Sequence, residues 1–170
     1  MKSLKLNLDK HNRKSIRLKG FDYSTTQHYF ITICCNFREP LFGHIRHEKS
    51  VLNNAGLMVD AFWVHLPNKF PNIKLNAYIV MPNHIHGIIE IVSTDKLLGT
   101  PLHTIVQWFK TMTTNAYIKN VQTNNWSAFS GKLWQRNYYE HIIRNEKSLR
   151  AIMQYIHANP KNWLQDQHFT

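Results

Sequence analysis

The chain has 170 residues, 43% of them hydrophobic, with 21 Lys and Arg against 10 Asp and Glu, a formal charge of +11 and a pI near 9.8. That is enough apolar material for one continuous core, and the charge favours a polyanionic partner such as nucleic acid. No apolar run approaches the ~20 residues of a membrane span, and no signal-peptide core opens the chain. The two cysteines, Cys34 and Cys35, are adjacent in an expected strand and face opposite ways, so they supply neither a disulfide framework nor a thiolate zinc site. This composition suits a reducing cytoplasm.

Residues 1–20 hold Lys10, Arg13, Lys14, Arg17 and Lys19 with little apolar periodicity. They read as a basic arm, placed for phosphate contacts, ahead of a single domain over 21–170. From His28 to Asn36 a β-branched and aromatic run predicts a central strand, broken by Asn36 to Pro40 and Gly43. Between Glu48 and Asn68, Val51, Leu52, Ala55, Met58, Val59, Phe62, Trp63 and Leu66 recur at three and four, predicting an amphipathic helix closed by Pro67 and Pro71. Ile73 to Met81 predicts a second strand. Pro82-Asn83 turns it into a hairpin with a third strand, His84 to Val92.

That third strand opens with His84-Ile85-His86. Strand side chains alternate faces, so the two imidazoles share one face while Ile85 and Gly87 share the other. Two neighbouring imidazoles are a metal half-site, and the surrounding Ile88, Ile89, Ile91 and Val92 make the strand buried, where each ring nitrogen needs a partner. The plainer reading is a pair of polar residues at a strand end.

Leu102 to Asn120 predicts a second helix, with Lys110 and Lys119 away from its apolar face. A polar, turn-like loop over Asn120 to Ser130 follows, then a last strand over Leu133 to Ile143. The resulting βαββαβ order is an α+β, ferredoxin-like arrangement: one antiparallel sheet with its helices on one face. A further helix runs from Glu146 to about Asn159, capped by Asn145 and stopped by Pro160, with Leu149, Ile152, Met153 and Ile156 as its core stripe. At ~100° per residue Tyr155 and Asn159 lie beside that stripe, one turn apart on a shared face.

Three stretches now carry a resemblance: Met81-Pro-Asn-His84-Ile-His86, the segment from Trp134 through Arg136, Glu140 and His141 to Asn145, and Tyr155-Ile-His-Ala-Asn159-Pro160. In this order and spacing, from about Tyr29 to Trp163, the chain resembles the REP-associated tyrosine transposases, within the single-tyrosine His-hydrophobic-His (HUH) class of single-strand DNA transposases. The resemblance implies a ferredoxin-like catalytic domain whose C-terminal helix carries the nucleophile, and cleavage and rejoining of DNA through a covalent 5′-phosphotyrosine. It implies Tyr155 as that nucleophile, and His84, His86 and Asn159 as ligands of a divalent ion, Mg²⁺ or Mn²⁺. Glu140 and His141 match a family motif with a structural or metal-proximal role. Arg136 joins the basic arm as a candidate DNA contact, and the resemblance implies hairpin-forming single-stranded DNA as partner and a protein that acts as a monomer or homodimer.

The chemistry agrees. A phenol with a pKa near 10 is a poor nucleophile at neutral pH without a neighbouring cation or base. Two competing readings come from other classes: a non-catalytic nucleic-acid-binding domain, and a metal-dependent hydrolase that activates water.

Overall fold

The computed structural model describes residues 27–92 and 99–165. The basic arm, with Lys10, Arg13, Lys14, Arg17 and Lys19, lies outside the described residues. Strands β1 (Gln27–Cys34), β4 (Ile73–Met81), β5 (His84–Ile91) and β6 (Tyr139–Ile143) form one sheet in the order β4-β5-β1-β6. Every neighbouring pair is antiparallel. A separate two-stranded hairpin pairs β2 (Gly43–Arg46) with β3 (Lys49–Leu52). The helices are α1 (Asn54–Val64), the single turn α2 (Leu66–Lys69), α3 (Leu102–Asn124) and α4 (Glu146–Ala158). No helix among the described residues is long and apolar enough to cross a membrane.

Alternation along each strand divides the sheet into two unlike faces. Tyr29, Ile31, Ile33, Ile85, Ile89, Ile91 and Val80 point to the face covered by α1 and α3, where they join Trp63, Ile105, Phe109 and Tyr117 in the main core. Gly87 belongs to this face too. A Cβ there would stand 2.2 Å from Trp63 Cζ2, so the missing side chain is what lets the indole lie against β5. The opposite face is covered by α4, which buries Ile156 against Phe30, Ile88 and Ile143, with Leu149, Ile152 and Met153 packed alongside. The core stripe expected for that helix is the one it uses. Its start is as expected also: the Asn145 side chain accepts from Ser148 N at 2.9 Å.

Three expectations need correction. The helix anticipated from Glu48 begins at Asn54, because 43–52 is a hairpin. Its two-residue turn, His47-Glu48, holds both residues at positive φ, 48° and 58°. Such a turn matches strand twist, and it separates Val51 and Leu52 from the helical stripe they imitate. Ser50 Oγ donates to Val80 O at 2.7 Å, and Asn53 caps α1 by accepting from Gly56 N at 2.9 Å.

The last strand is shorter than Leu133–Ile143. Trp134 forms an isolated bridge with Cys35 and donates its indole N–H to Thr113 Oγ1 at 2.9 Å, so 133–138 is an irregular strap across the core. Third, α3 runs to Asn124, absorbing the start of the expected polar loop, and ends with Asn125 left-handed at φ 54°. Lys110, expected away from the apolar face of α3, is anchored on the strap. Its ammonium donates to the carbonyls of Gln135, Arg136 and Asn137 at 2.9, 3.3 and 3.2 Å, fastening the strap to α3.

Candidate active site

His84 and His86 open β5 on its α4 face, and both are fully buried, their ring centroids 4.4 Å apart. Burial obliges each ring to satisfy its nitrogens, and the partners are specific. His86 Nδ1 lies 2.8 Å from Oγ1 of Thr32, its register partner on β1. His84 Nδ1 lies 2.7 Å from Asn83 Oδ1. The Asn83 amide is oriented by its own nitrogen, which donates to Arg38 O at 3.1 Å, so its oxygen accepts from His84 Nδ1–H. The lone pair of His84 is thereby on Nε2, the nitrogen a metal would use. Partners of this kind fix the tautomer and orientation of ligand imidazoles.

The C-terminal end of α4 runs along this pair. The Tyr155 hydroxyl lies 3.3 Å from His86 Nε2, with the two ring centroids 5.3 Å apart, and Phe30 meets the Tyr155 ring edge-on at 6.0 Å. Past the helix, the Trp163 ring stacks against His84, centroids 6.0 Å apart and 23° from parallel. Asn159 caps α4 between these two contacts and is 2% exposed, and its Oδ1 is buried with no hydrogen-bond partner. A buried acceptor without a donor is costly, and a cation is one way to relieve it.

These residues fit a divalent ion. Among the described residues no group of three or more His, Cys, Asp and Glu could hold a metal, so the donor set beside the imidazoles has to include another chemistry. The orphaned amide oxygen of Asn159 would supply it. Two nitrogens and one oxygen would leave coordination positions for phosphate oxygens.

The two acidic-motif residues part company. Glu140 stands opposite Ile31 in the register, on the α1/α3 face, with Oε1 buried and unpartnered. Of the structural and metal-proximal roles open to Glu140, the structural one suits a side chain that starts from the side of the sheet away from the imidazoles. His141 stands opposite Phe30 on the α4 face but at the exposed edge strand. Arg136 is exposed on the strap. Thr32, Asn83 and Trp163 were missed as site residues. Asn83 had a signal, since it sits in the turn directly before His84. Thr32 and Trp163 had none at short range.

Residues 23–159 match the family model described as Transposase IS200 like. The chain belongs to that family. It is 40% identical over 173 residues to an uncharacterised protein of Haemophilus influenzae, covering 96% of each. It is 30% identical over 87 residues to the REP-associated tyrosine transposase of Escherichia coli, a match spanning 51% of this chain and 44% of that one. In fold it is similar to a solved REP-associated tyrosine transposase bound to a REP hairpin, with a TM-score of 0.63 at 22% identity over 88% of this chain and 74% of the other.

Proposed function

We propose that this transposase cuts and rejoins single-stranded, hairpin-bearing DNA through a covalent 5′-phosphotyrosine on Tyr155, with Mg²⁺ or Mn²⁺ held by His84, His86 and Asn159. The observation that carries the reading is the Tyr155 hydroxyl 3.3 Å from Nε2 of a buried, oriented His86. Family membership supports the reaction class, and the +11 charge supports a polyanionic substrate.

Each residue has a separate task. Thr32 and Asn83 hold the two imidazoles by their Nδ1 atoms, which leaves the metal to be bound through Nε2. Ile156, anchored against Phe30 and Ile88, fixes the turn of helix that carries Tyr155, which limits the search of the phenol oxygen for phosphorus. The bound ion would neutralise charge developing on the phosphate oxygens. The Tyr155 oxygen attacks phosphorus, the bond from phosphorus to the 3′ oxygen breaks, and that oxygen leaves with a proton as a 3′-OH. One phosphodiester has been exchanged for another, so the reverse attack by a 3′-OH can reseal a strand without an external energy source.

The test uses single strands bearing a hairpin, labelled on the 3′ side of the break, with Mn²⁺ or Mg²⁺. Wild-type protein should give an SDS-resistant protein–DNA complex, and Tyr155→Phe should give none while binding DNA nearly as before. His84→Ala and His86→Ala should weaken Mn²⁺ binding by calorimetry and abolish the complex. Cleavage surviving in Tyr155→Phe, or turnover with no adduct at any tyrosine, would replace this reading by a water-activating hydrolase.

A further inference from the structure

On the α4 face, one step across the sheet from the imidazoles, lies a cleft of about 220 Å³. Its floor is Thr32 and Cys34, which the β1–β5 register sets directly opposite His86 and His84. One wall is Arg38, held with Phe37 in the left-handed region at φ 54° and 53°, a strained stretch for two residues with side chains. The other wall is the strap, contributing Gln135 and Asn137, and the half-exposed ring of Tyr139 lies at its end.

From these observations we infer that the cleft is a subsite for one unpaired nucleobase, the base adjoining the scissile phosphate, read by the amides of Gln135 and Asn137 with Arg38 and Tyr139. The inference rests on the reading of His84, His86 and Tyr155 as the cleavage centre, since that is what puts a phosphate beside the cleft. Single-stranded nucleic acids are recognised by bases splayed from the stack, hydrogen-bonded on their edges and stacked on aromatic rings or guanidinium planes. Those are the three chemistries gathered here. Pockets for drug-sized ligands run from ~300 Å³ upward, so this smaller space suits a single planar heterocycle and is too small for a base pair. A base still paired in a duplex could not enter it.

Both walls are fastened to the imidazoles or to the helix layer. Arg38 O accepts from the same Asn83 amide that orients His84, and Thr32 of the floor orients His86. The strap is sewn to β1 by Gln135 N donating to Cys34 O at 2.9 Å, and to α3 by the three Lys110 hydrogen bonds. A wall held this firmly can discriminate edges, because a misfitting base cannot be accommodated by moving the strap.

The test selects ligands for the full-length Tyr155→Phe protein from single strands carrying a hairpin next to eight randomised nucleotides, so that binding is read without cleavage. Wild-type strap residues should enrich a defined base at one randomised position. Removing that base as an abasic site should weaken binding roughly tenfold, and annealing a complement across it should do the same. Added to that background, Asn137→Ala and Gln135→Ala should erase or change the preference at that one position and leave the others; circular dichroism melts confirm folding, with the exposed Asn137 as the safer site. Identical selected profiles in all three proteins, or a loss of affinity spread evenly over every position, would overturn the subsite. Adduct formation on wild-type protein is scored separately: an adduct with no selected base sinks the subsite alone, and a selected base that depends on the strap residues with no adduct sinks the Tyr155 mechanism alone.

Discussion

The two faces of the sheet are built from the same strands and spend their residues differently. Toward α1 and α3 the strands present Tyr29, Ile31, Ile33, Ile85 and Ile89, met by Trp63, Phe109, Tyr117 and Trp134 in a closed layer of interlocking rings. Toward α4 the buried apolar cluster among the described residues is small, Phe30, Ile88, Ile143 and Ile156, while Thr32, His84, His86 and Asn159 are buried polar groups around it. One face supplies the stability that the other consumes in holding polar groups out of water. Because side chains alternate, each strand residue belongs to one face or the other, and chemistry is kept apart from the main core by a single backbone thickness.

The sharpest way to break this contrast is to damage the sealed face. Trp63→Ala removes a fully buried indole packed on Gly87 and Phe109 and should cost about 3–5 kcal/mol in urea unfolding. Gly87→Ala presses a methyl into the same ring and should cost about 1–3 kcal/mol. Losses under about 0.5 kcal/mol in both would mean that this face is not the stability reservoir.

On the α4 side Ile156→Ala should cost about 2 kcal/mol, and its larger effect should be local. Hydrogen exchange should rise in α4 more than in β1 or β5, and adduct formation should fall because Tyr155 is carried by that helix. Uniform exchange across both faces would merge them into one cooperative unit.

Thr32→Val keeps the shape of a β-branched side chain and removes the oxygen beside His86 Nδ1. Metal affinity should fall about 10–100-fold with the fold intact, measured by Mn²⁺ titration. An unchanged affinity would show that the imidazole holds its orientation without β1.

The smallest expected effect lies at the seam between the faces. Burial pushes the Lys110 ammonium from its ordinary 10.5 down to about 8. The unfolded chain then binds the more protons between about pH 8 and 10.5, so this group makes stability rise with pH across that window. In Lys110→Met the rise with pH across this window should be shallower than in the wild type. Parallel wild-type and variant stability curves would show that the ammonium is solvated in the folded protein.

What the sequence determines by itself is set by short-range periodicity. Two-residue alternation placed His84 and His86 on one face of β5, and the bounds Ile73–Met81 of β4 follow from the Pro82-Asn83 turn beside it. The stripe through Leu149, Ile152, Met153 and Ile156, with Asn145 at its start, determined α4 and the common face of Tyr155 and Asn159. The β2–β3 hairpin escaped because His47-Glu48 adopts a positive-φ turn without the glycine or asparagine that signals one, while Val51 and Leu52 happen to continue a helical spacing. Tertiary structure alone decided the rest. Thr32 meets His86 across 54 residues, Tyr155 meets it across 69, and Trp163 reaches His84 only when α4 lies along β5. Glu140 faces the opposite side because β6 pairs with β1 in the register that sets it against Ile31, and a shift of one residue would have turned it toward the imidazoles. Local spacing gives each residue a face within its own element; which faces meet is settled by strand register and helix packing, where the interacting groups are far apart in the chain.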